Sequence, residues 1–539
     1  MKTPAKTIVN EILQSVGLSA QEVSEREFPG EHWVIVTIDA AALVTAQSLA
    51  GQIESELSDA LTATDTSVTA FFRPGRQEPE NPTNASNTGR LSSANVDQLI
   101  QLLEARSRTS EAIPSLAYRE DPRASLTAVA ASRHHLVYGR RGVGKTALLL
   151  EVKRLSEQRG AATVWMNSHT LRNQTPEETF STVISAVLKS LLHRIGASKS
   201  PTKKQILDLS NRLNATSQDS PVAADLIPEI NSTLRSILRA EVLQLFVYLD
   251  DFYLIPQSWQ PQILDYLASS LRDCDGWLKV ASIERLTRPF DVSERIGIEV
   301  PHDASTIDLD VTLENPAQTQ EFLESVMNTY IDKAGLGSVG SIAKTEALGR
   351  LVLASGGVPR DYLNLFSNSI VVARERRAQA AEIGREDVSG AAGRYSQSKK
   401  RDLEQDVNSN ESQIIITALE TLISGVKGEG STFFRVDFRE KSTQGYELLA
   451  RLVDMRFAHL VQSALSDQKQ AGVKYEAYIL ALSEYSDVRL QRGLNTLDIE
   501  RGEWVLRLTG KAGSSKKQST QQLRYTLRKS PLLSVKELI

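Results

Sequence analysis

The chain has 539 residues, too many for one ordinary hydrophobic core, so roughly three or four domains are expected. Its 41% apolar and 24% charged residues describe a folded globular protein and exclude a disordered or fibrous one. A formal net charge of -4 excludes a global basic field, so any polyanion must be met by a local patch.

The single cysteine, Cys274, cannot form an internal disulfide, and no Cys/His cluster has zinc-site spacing. Both points fit a reducing cytoplasm. The start, MKTPAKTIVNEILQSVG, threads polar residues through its apolar ones, unlike a signal peptide. No run of about 18 apolar residues occurs, so no membrane span is expected.

In chain order, the apolar period predicts a helix over 5–16, a strand over 32–38, a helix over 40–61 and a strand over 67–72. This reads as a small N-terminal α/β module, residues 1–73. A Pro-, Asn-, Ser- and Gly-rich run, 74–95, reads as a flexible linker. Alternating strands and helices over 96–310 predict a parallel sheet covered by helices, and a helical lid follows over 311–396.

The polar run SQSKKRDLEQDVNSNE places a second linker at 397–411. Beyond it, helices over 412–426 and 443–454 and alternating runs over 456–463 and 474–482 predict a winged-helix-like domain, 412–510. Residues 511–539 read as a basic tail. The fold class is therefore α/β, a P-loop core with three attachments.

The chemistry is concentrated in HHLVYGRRGVGKTALLLEVKRL. Gly139, Gly144, Lys145 and Thr146 satisfy G-x-x-x-x-G-K-[ST] between a short strand and an apolar helix, the context this motif requires. The whole loop, Gly139, Arg140, Arg141, Gly142, Val143, Gly144, Lys145, Thr146 and Ala147, is expected to cradle phosphates with its backbone N–H groups. Lys145 supplies a cation to the β and γ phosphates, and the Thr146 hydroxyl ligates magnesium.

The partner strand is LQLFVYLDD, near-continuously apolar as a buried parallel strand requires. It ends in Asp250, the expected second metal ligand, and Asp251, the expected catalytic carboxylate. On a third strand, 277–283, Ser282 is a candidate γ-phosphate sensor. Arg285 and Arg288 just beyond are candidate arginine fingers. The histidines, including His134 and His135, read as structural.

With these parts in order, residues 113–382 resemble the AAA+ ATPases, in particular the origin-recognition and replication-initiator branch. SGGVPRDYLNLF adds to the likeness, because Gly357-Val358-Pro359-Arg360 matches the family's lid motif. The resemblance implies ATP and magnesium as cofactors, ATP hydrolysis, Arg360 as a second sensor, and the order ATPase, lid, winged helix.

It also implies a glutamate where this chain has the shorter Asp251, which puts the hydrolysis rate in question. The signalling branch of P-loop ATPases is similar too, with paired aspartates and an intramolecular winged helix. Between Glu503 and Glu537 the chain has eight lysines and arginines and no acid. Double-stranded DNA is therefore an expected partner of the C-terminal part. The other expectation is a nucleotide-switched scaffold that recruits a protein through its N-terminal module; either is compatible with a homo-oligomer.

Overall fold

A computed structural model describes residues 4–28, 31–38, 42–47, 49–60, 67–74, 89–105, 118–195, 201–214, 223–406, 409–485, 493–508 and 515–539. The chain divides into two units, residues 1–86 and 87–539. In the first, helices α1 (Pro4–Ser15), α2 (Leu43–Gln47) and α3 (Ala50–Ala60) accompany strands β1 (Ala20–Phe28), β2 (Glu31–Ile38) and β3 (Ser67–Pro74). β2 is central, antiparallel to β1 and parallel to β3.

Its even positions Val34, Val36 and Ile38 join Val9, Leu13, Ile53 and Leu57 in a closed core. β1 was not legible in the sequence. Its AQEVSEREF carries little apolar residue pattern, and an edge strand needs only one paired side.

The second unit opens with α4 (Ala94–Ala105) and α5 (Ser125–Val129). The parallel sheet that follows holds β4 (His134–Tyr138), β5 (Ala162–Asn167), β6 (Leu245–Asp250), β7 (Gly276–Ser282) and, after the short hairpin β8 (Phe290–Asp291) and β9 (Ile296–Gly297), β10 (Ala304–Asp308). Its order is β10-β4-β7-β6-β5. The crossover helices are α6 (Lys145–Gln158), α7 (Pro176–Ile195), α8 (Pro201–Asn214), α9 (Ile227–Ala240) and α10 (Gln260–Leu271).

β6 shows why the sheet is buried on both faces. Leu245, Val247 and Leu249 enter one core, while Phe246 and Tyr248 enter the other. The expected fold class, a P-loop parallel sheet with a helical lid, is what the chain adopts. The lid comprises α11 (Pro316–Lys333), α12 (Thr345–Ser355), α13 (Pro359–Arg376) and α14 (Arg385–Asp406).

Three stretches differ from the sequence reading. Residues 89–95, read as the end of a linker, are packed: Leu91 is fully buried and its carbonyl accepts from Arg374. α4 then buries Val96, Leu99 and Leu103 among lid residues instead of on the sheet core. Residues 75–88 of that linker lie outside the described residues.

The run read as a second linker, 397–411, is helical through Asp406 and again from Ser409. Its polar side chains make tertiary contacts that composition does not show. Lys399 lies 3.6 Å from the buried Asp361 and Lys400 lies 2.8 Å from Glu484.

The C-terminal part contains α15 (Ser409–Gly428), β11 (Phe433–Asp437), α16 (Gln444–Asp454), β12 (Ala458–Ser466) and β13 (Lys474–Leu480), in an antiparallel sheet ordered β11-β13-β12. A second sheet, β14 (Thr496–Glu500), β15 (Glu503–Arg507) and β16 (Ser515–Gln518), leads to α17 (Thr520–Arg528). Of the expected tail, residues 515–539 are therefore folded. α17 carries a capping box on Ser519 and buries Leu523 and Leu527. Residues 511–514 lie outside the described residues.

Candidate functional site: a glycine-loop cleft under a helical lid

β4 ends at Tyr138, and the loop from Gly139 turns directly into α6. Gly142 has φ +89, and a Cβ there would stand 2.8 Å from the Arg360 Cβ, so glycine is needed both for its conformation and for the close approach of the lid. Gly144 starts α6 with φ +109. Gly142, Val143, Gly144, Lys145, Thr146 and Ala147 all line one cleft of about 520 Å³, a size suited to a nucleotide. Gly139 and Arg140 stand outside that lining.

Arg140 has a structural task. Its backbone N–H and Nε donate to Asp310 Oδ1 at 2.9 and 3.1 Å, and its Nη2 reaches the carbonyls of Val311 and Gly356. It fastens the loop to the strand end and the lid. Arg141 lines the cleft with its guanidinium 5.3 Å from the Tyr253 ring centroid.

Lys145 is buried, and its Nζ donates to the loop's own carbonyls, Gly139 O at 2.6 Å and Arg140 O at 3.1 Å. Burial pulls its ammonium below the usual lysine range, while Asp251, Asp310 and Asp250 act to restore it. The Thr146 hydroxyl donates to Asp250 Oδ2 at 2.9 Å, and the Asp251 N–H donates to Asp250 Oδ1 at 3.0 Å.

Asp250 is 1% exposed, and burial, then repulsion from Asp251, pushes its carboxyl up to about 6. Such a carboxylate beside a hydroxyl is short of positive charge, so the residues present fit a divalent cation. Among the described residues no cluster of three or more His, Cys, Asp or Glu side chains provides a complete metal site. An ion here would complete its shell with phosphate and water oxygens. Asp251 adopts φ +53 and lines the cleft.

The lid closes the other side. The Arg360 N–H donates to Gly142 O at 3.2 Å, and its side chain lines the cleft. Phe322, Val326, Tyr330 and Leu363 give this end an apolar wall suited to a base. The segment Tyr118, Arg119 and Asp121 and the turn residue His169 also line it. The sequence reading missed these, because nothing in the motif points to the segment before α5 or the turn after β5.

Asp250, Ser282, Arg285 and Arg288 are not in the cleft lining either. Ser282 is fully buried, and its hydroxyl is 2.6 Å from Thr287 Oγ1, which donates to Ile283 O. Arg285 pairs with Asp454 at 2.7 Å and Arg288 with Asp291 at 2.9 Å. His134 and His135 sit at the opposite end of the sheet. His134 Nδ1 accepts from the Leu278 N–H, and burial lowers both rings to about 4.

No family model and no curated protein matches the sequence. Solved structures do. The Orc1 protein of Aeropyrum pernix in complex with DNA is 13% identical, with a TM-score of 0.37 over 75% of this chain and 97% of that one. A Walker-type ATPase of Pyrococcus abyssi is 12% identical at a TM-score of 0.37, covering 69% of this chain and 99% of that one. Cdc6p from Pyrobaculum aerophilum is 14% identical at 0.34, covering 70% and 95%.

Proposed function

We propose that this chain binds ATP with magnesium in the cleft between its P-loop and lid, hydrolyses it, and uses the nucleotide state to govern a contact made by its C-terminal domain. The observation that carries the reading is one nucleotide-sized cleft lined by Lys145, Thr146, Asp251 and Arg360, with Asp250, outside that lining, bonded to the Thr146 hydroxyl. Thr146 and Asp250 would hold the ion, which supplies charge neutralisation to the phosphates when bound. Lys145 exchanges its loop carbonyls for phosphate oxygens. Asp251 orients the attacking water, and Arg360 reports the γ-phosphate from the lid. Ser282 enters this scheme only if its bond to Thr287 is exchanged for one to phosphate.

For the C-terminal contact we favour double-stranded DNA, read by a winged-helix-like arrangement. Supporting it are the sheet order β11-β13-β12 and the exposed Lys469 and Lys474 on the hairpin. Lys516 and Arg524 add exposed positive charge near α17. Other basic residues contribute less: Arg439 pairs with Asp437, Lys441 with Glu476 and Lys517 with Glu503.

The test is ATP hydrolysis with and without duplex DNA at low and physiological salt. DNA stimulation that fades with salt, and that Lys516→Glu with Arg524→Glu abolishes, is the expected result. A rate indifferent to DNA beside tight ATP binding supports the second reading, a nucleotide switch whose partner protein is met by residues 1–73. The observation favouring that reading is the engagement of Asp454 with Arg285 inside the chain.

A further inference from the structure

The turn between α16 and β12 packs against the P-loop and the first turn of α13. Arg456 stands at its tip with φ +65, a left-handed backbone uncommon for a residue with a side chain. Its side chain is 16% exposed and, without lining the cleft itself, contacts both the P-loop and the lid helix. Nη1 donates to the carbonyl of Arg141 in the P-loop at 3.2 Å, and Nε lies 2.9 Å from Asp361 Oδ2, in the first turn of the lid helix that carries Arg360.

Asp361 is itself 1% exposed and is held by the Tyr395 hydroxyl at 2.9 Å and by Lys399. Three residues after Arg456, the buried His459 packs so closely on the lid that a Cβ at Gly356 would stand 2.1 Å from its Nδ1. This joint leaves little freedom for the turn to shift while the domain stays docked.

We propose that Arg456 is a positioning residue of the nucleotide site, supplied by the C-terminal domain. It ties the Arg141 peptide to Asp361, and so sets the gap between the phosphate cradle and the lid arginine. Triphosphate affinity then depends on the C-terminal domain being docked. By reciprocity, bound nucleotide tightens that docking by the same factor. The inference rests on the reading of the cleft as a nucleotide site and names how that site is coupled to the rest of the chain.

The test uses the full chain, a fluorescent ATP analogue with magnesium, and hydrogen exchange across β12. Arg456→Ala is expected to weaken analogue binding about tenfold and to abolish the slowing of exchange that ATP produces in the unaltered protein. Arg456→Lys should fall between, because a single ammonium on a flexible stem does not span both partners. Asp454→Asn breaks a different contact of the same domain with the core, and should leave binding within about twofold.

Wild-type affinity in Arg456→Ala overturns the proposal, as does an equal loss in Asp454→Asn, which would show that Arg456 has no positioning role of its own. If Arg456→Ala fails to fold, Asp361→Asn takes its place with the same expected loss, and unchanged affinity there is equally fatal. An unaltered chain that does not bind the analogue rejects the nucleotide reading, and this inference with it.

Discussion

Two lysines are buried at opposite ends of the same sheet, and their surroundings give them different work. Lys145, after β4, donates to two carbonyls of its own loop and borders the cleft. Lys279, on β7, is fully buried and donates to Val129 O, Ala131 O and Arg133 O at 2.6 to 2.9 Å, closing the end of α5. Burial lowers both, Lys279 to about 7. Burial and a shifted proton affinity therefore do not distinguish a candidate binding residue from a structural one; the cleft beside Lys145 is what makes it the candidate.

The sharpest way to break this comparison is to remove each lysine in turn. Lys145→Ala should cost at least about 100-fold in ATP affinity by titration calorimetry, since a charge-assisted contact to phosphate is lost. Its urea midpoint should hardly move. Lys279→Met should lose about 1–3 kcal/mol of stability, because Val129 O loses its donor in the interior, while Ala131 O keeps the Arg133 N–H. Its folded fraction should bind ATP normally. If both variants lose both properties, the distinction between the two ends is wrong.

The same contrast explains what was legible in the sequence. The glycine loop lies within nine consecutive residues, and its geometry follows from local glycine conformations, so Lys145 and Thr146 could be named from spacing, and Asp250 and Asp251 from the apolar run that they close. The sheet was legible for a similar reason, since strands buried on both faces read as apolar runs. Arg456, Asp454 and Lys399 make their contacts across long sequence separations, with partners such as Arg141, Arg285 and Asp361. No local period or motif encodes such pairs. The polar run from Ser396 looked like a linker because charges that serve tertiary pairing have the same composition as charges that serve solvation. Ser282 shows the reverse: its position on the strand could be read, but not that its hydroxyl stands 2.6 Å from that of Thr287, five residues on.

A second prediction separates binding from turnover within the cleft. Asp251 lines the cavity but forms no part of the Thr146–Asp250 pair. Asp251→Ala should lower steady-state hydrolysis by about 100-fold or more while leaving ATP affinity within about threefold. Asp251→Glu restores the longer side chain that the family resemblance implies, and a faster rate than wild type is expected. A slower one would show that the left-handed backbone at Asp251 sets the reach of the carboxylate, so that the added methylene overshoots.

The most gradual effect, accruing per pH unit, concerns acid, and it again sets one end of the sheet against the other. His134 and His135 fall from 6.5 to about 4 on folding, so the unfolded chain binds more protons between those values. Their contribution to stability is complete above pH 6.5 and is lost as pH falls towards 4, at about 1.4 kcal/mol per pH unit for each group. Asp250 works oppositely. Its carboxyl rises from 3.8 to about 6, so stability is lost as pH rises through that window. Two histidine slopes against one aspartate slope leave these groups with a net loss of stability on acidification. His135→Gln should flatten the urea-derived stability curve between pH 6.5 and 4, and Asp250→Asn should steepen it. Because the two groups occupy opposite ends of the sheet, the double variant should give the sum of the two changes. A double variant that departs from additivity by more than about 0.5 kcal/mol would mean that the ends are coupled through the strands, and that neither can be treated as a site of its own.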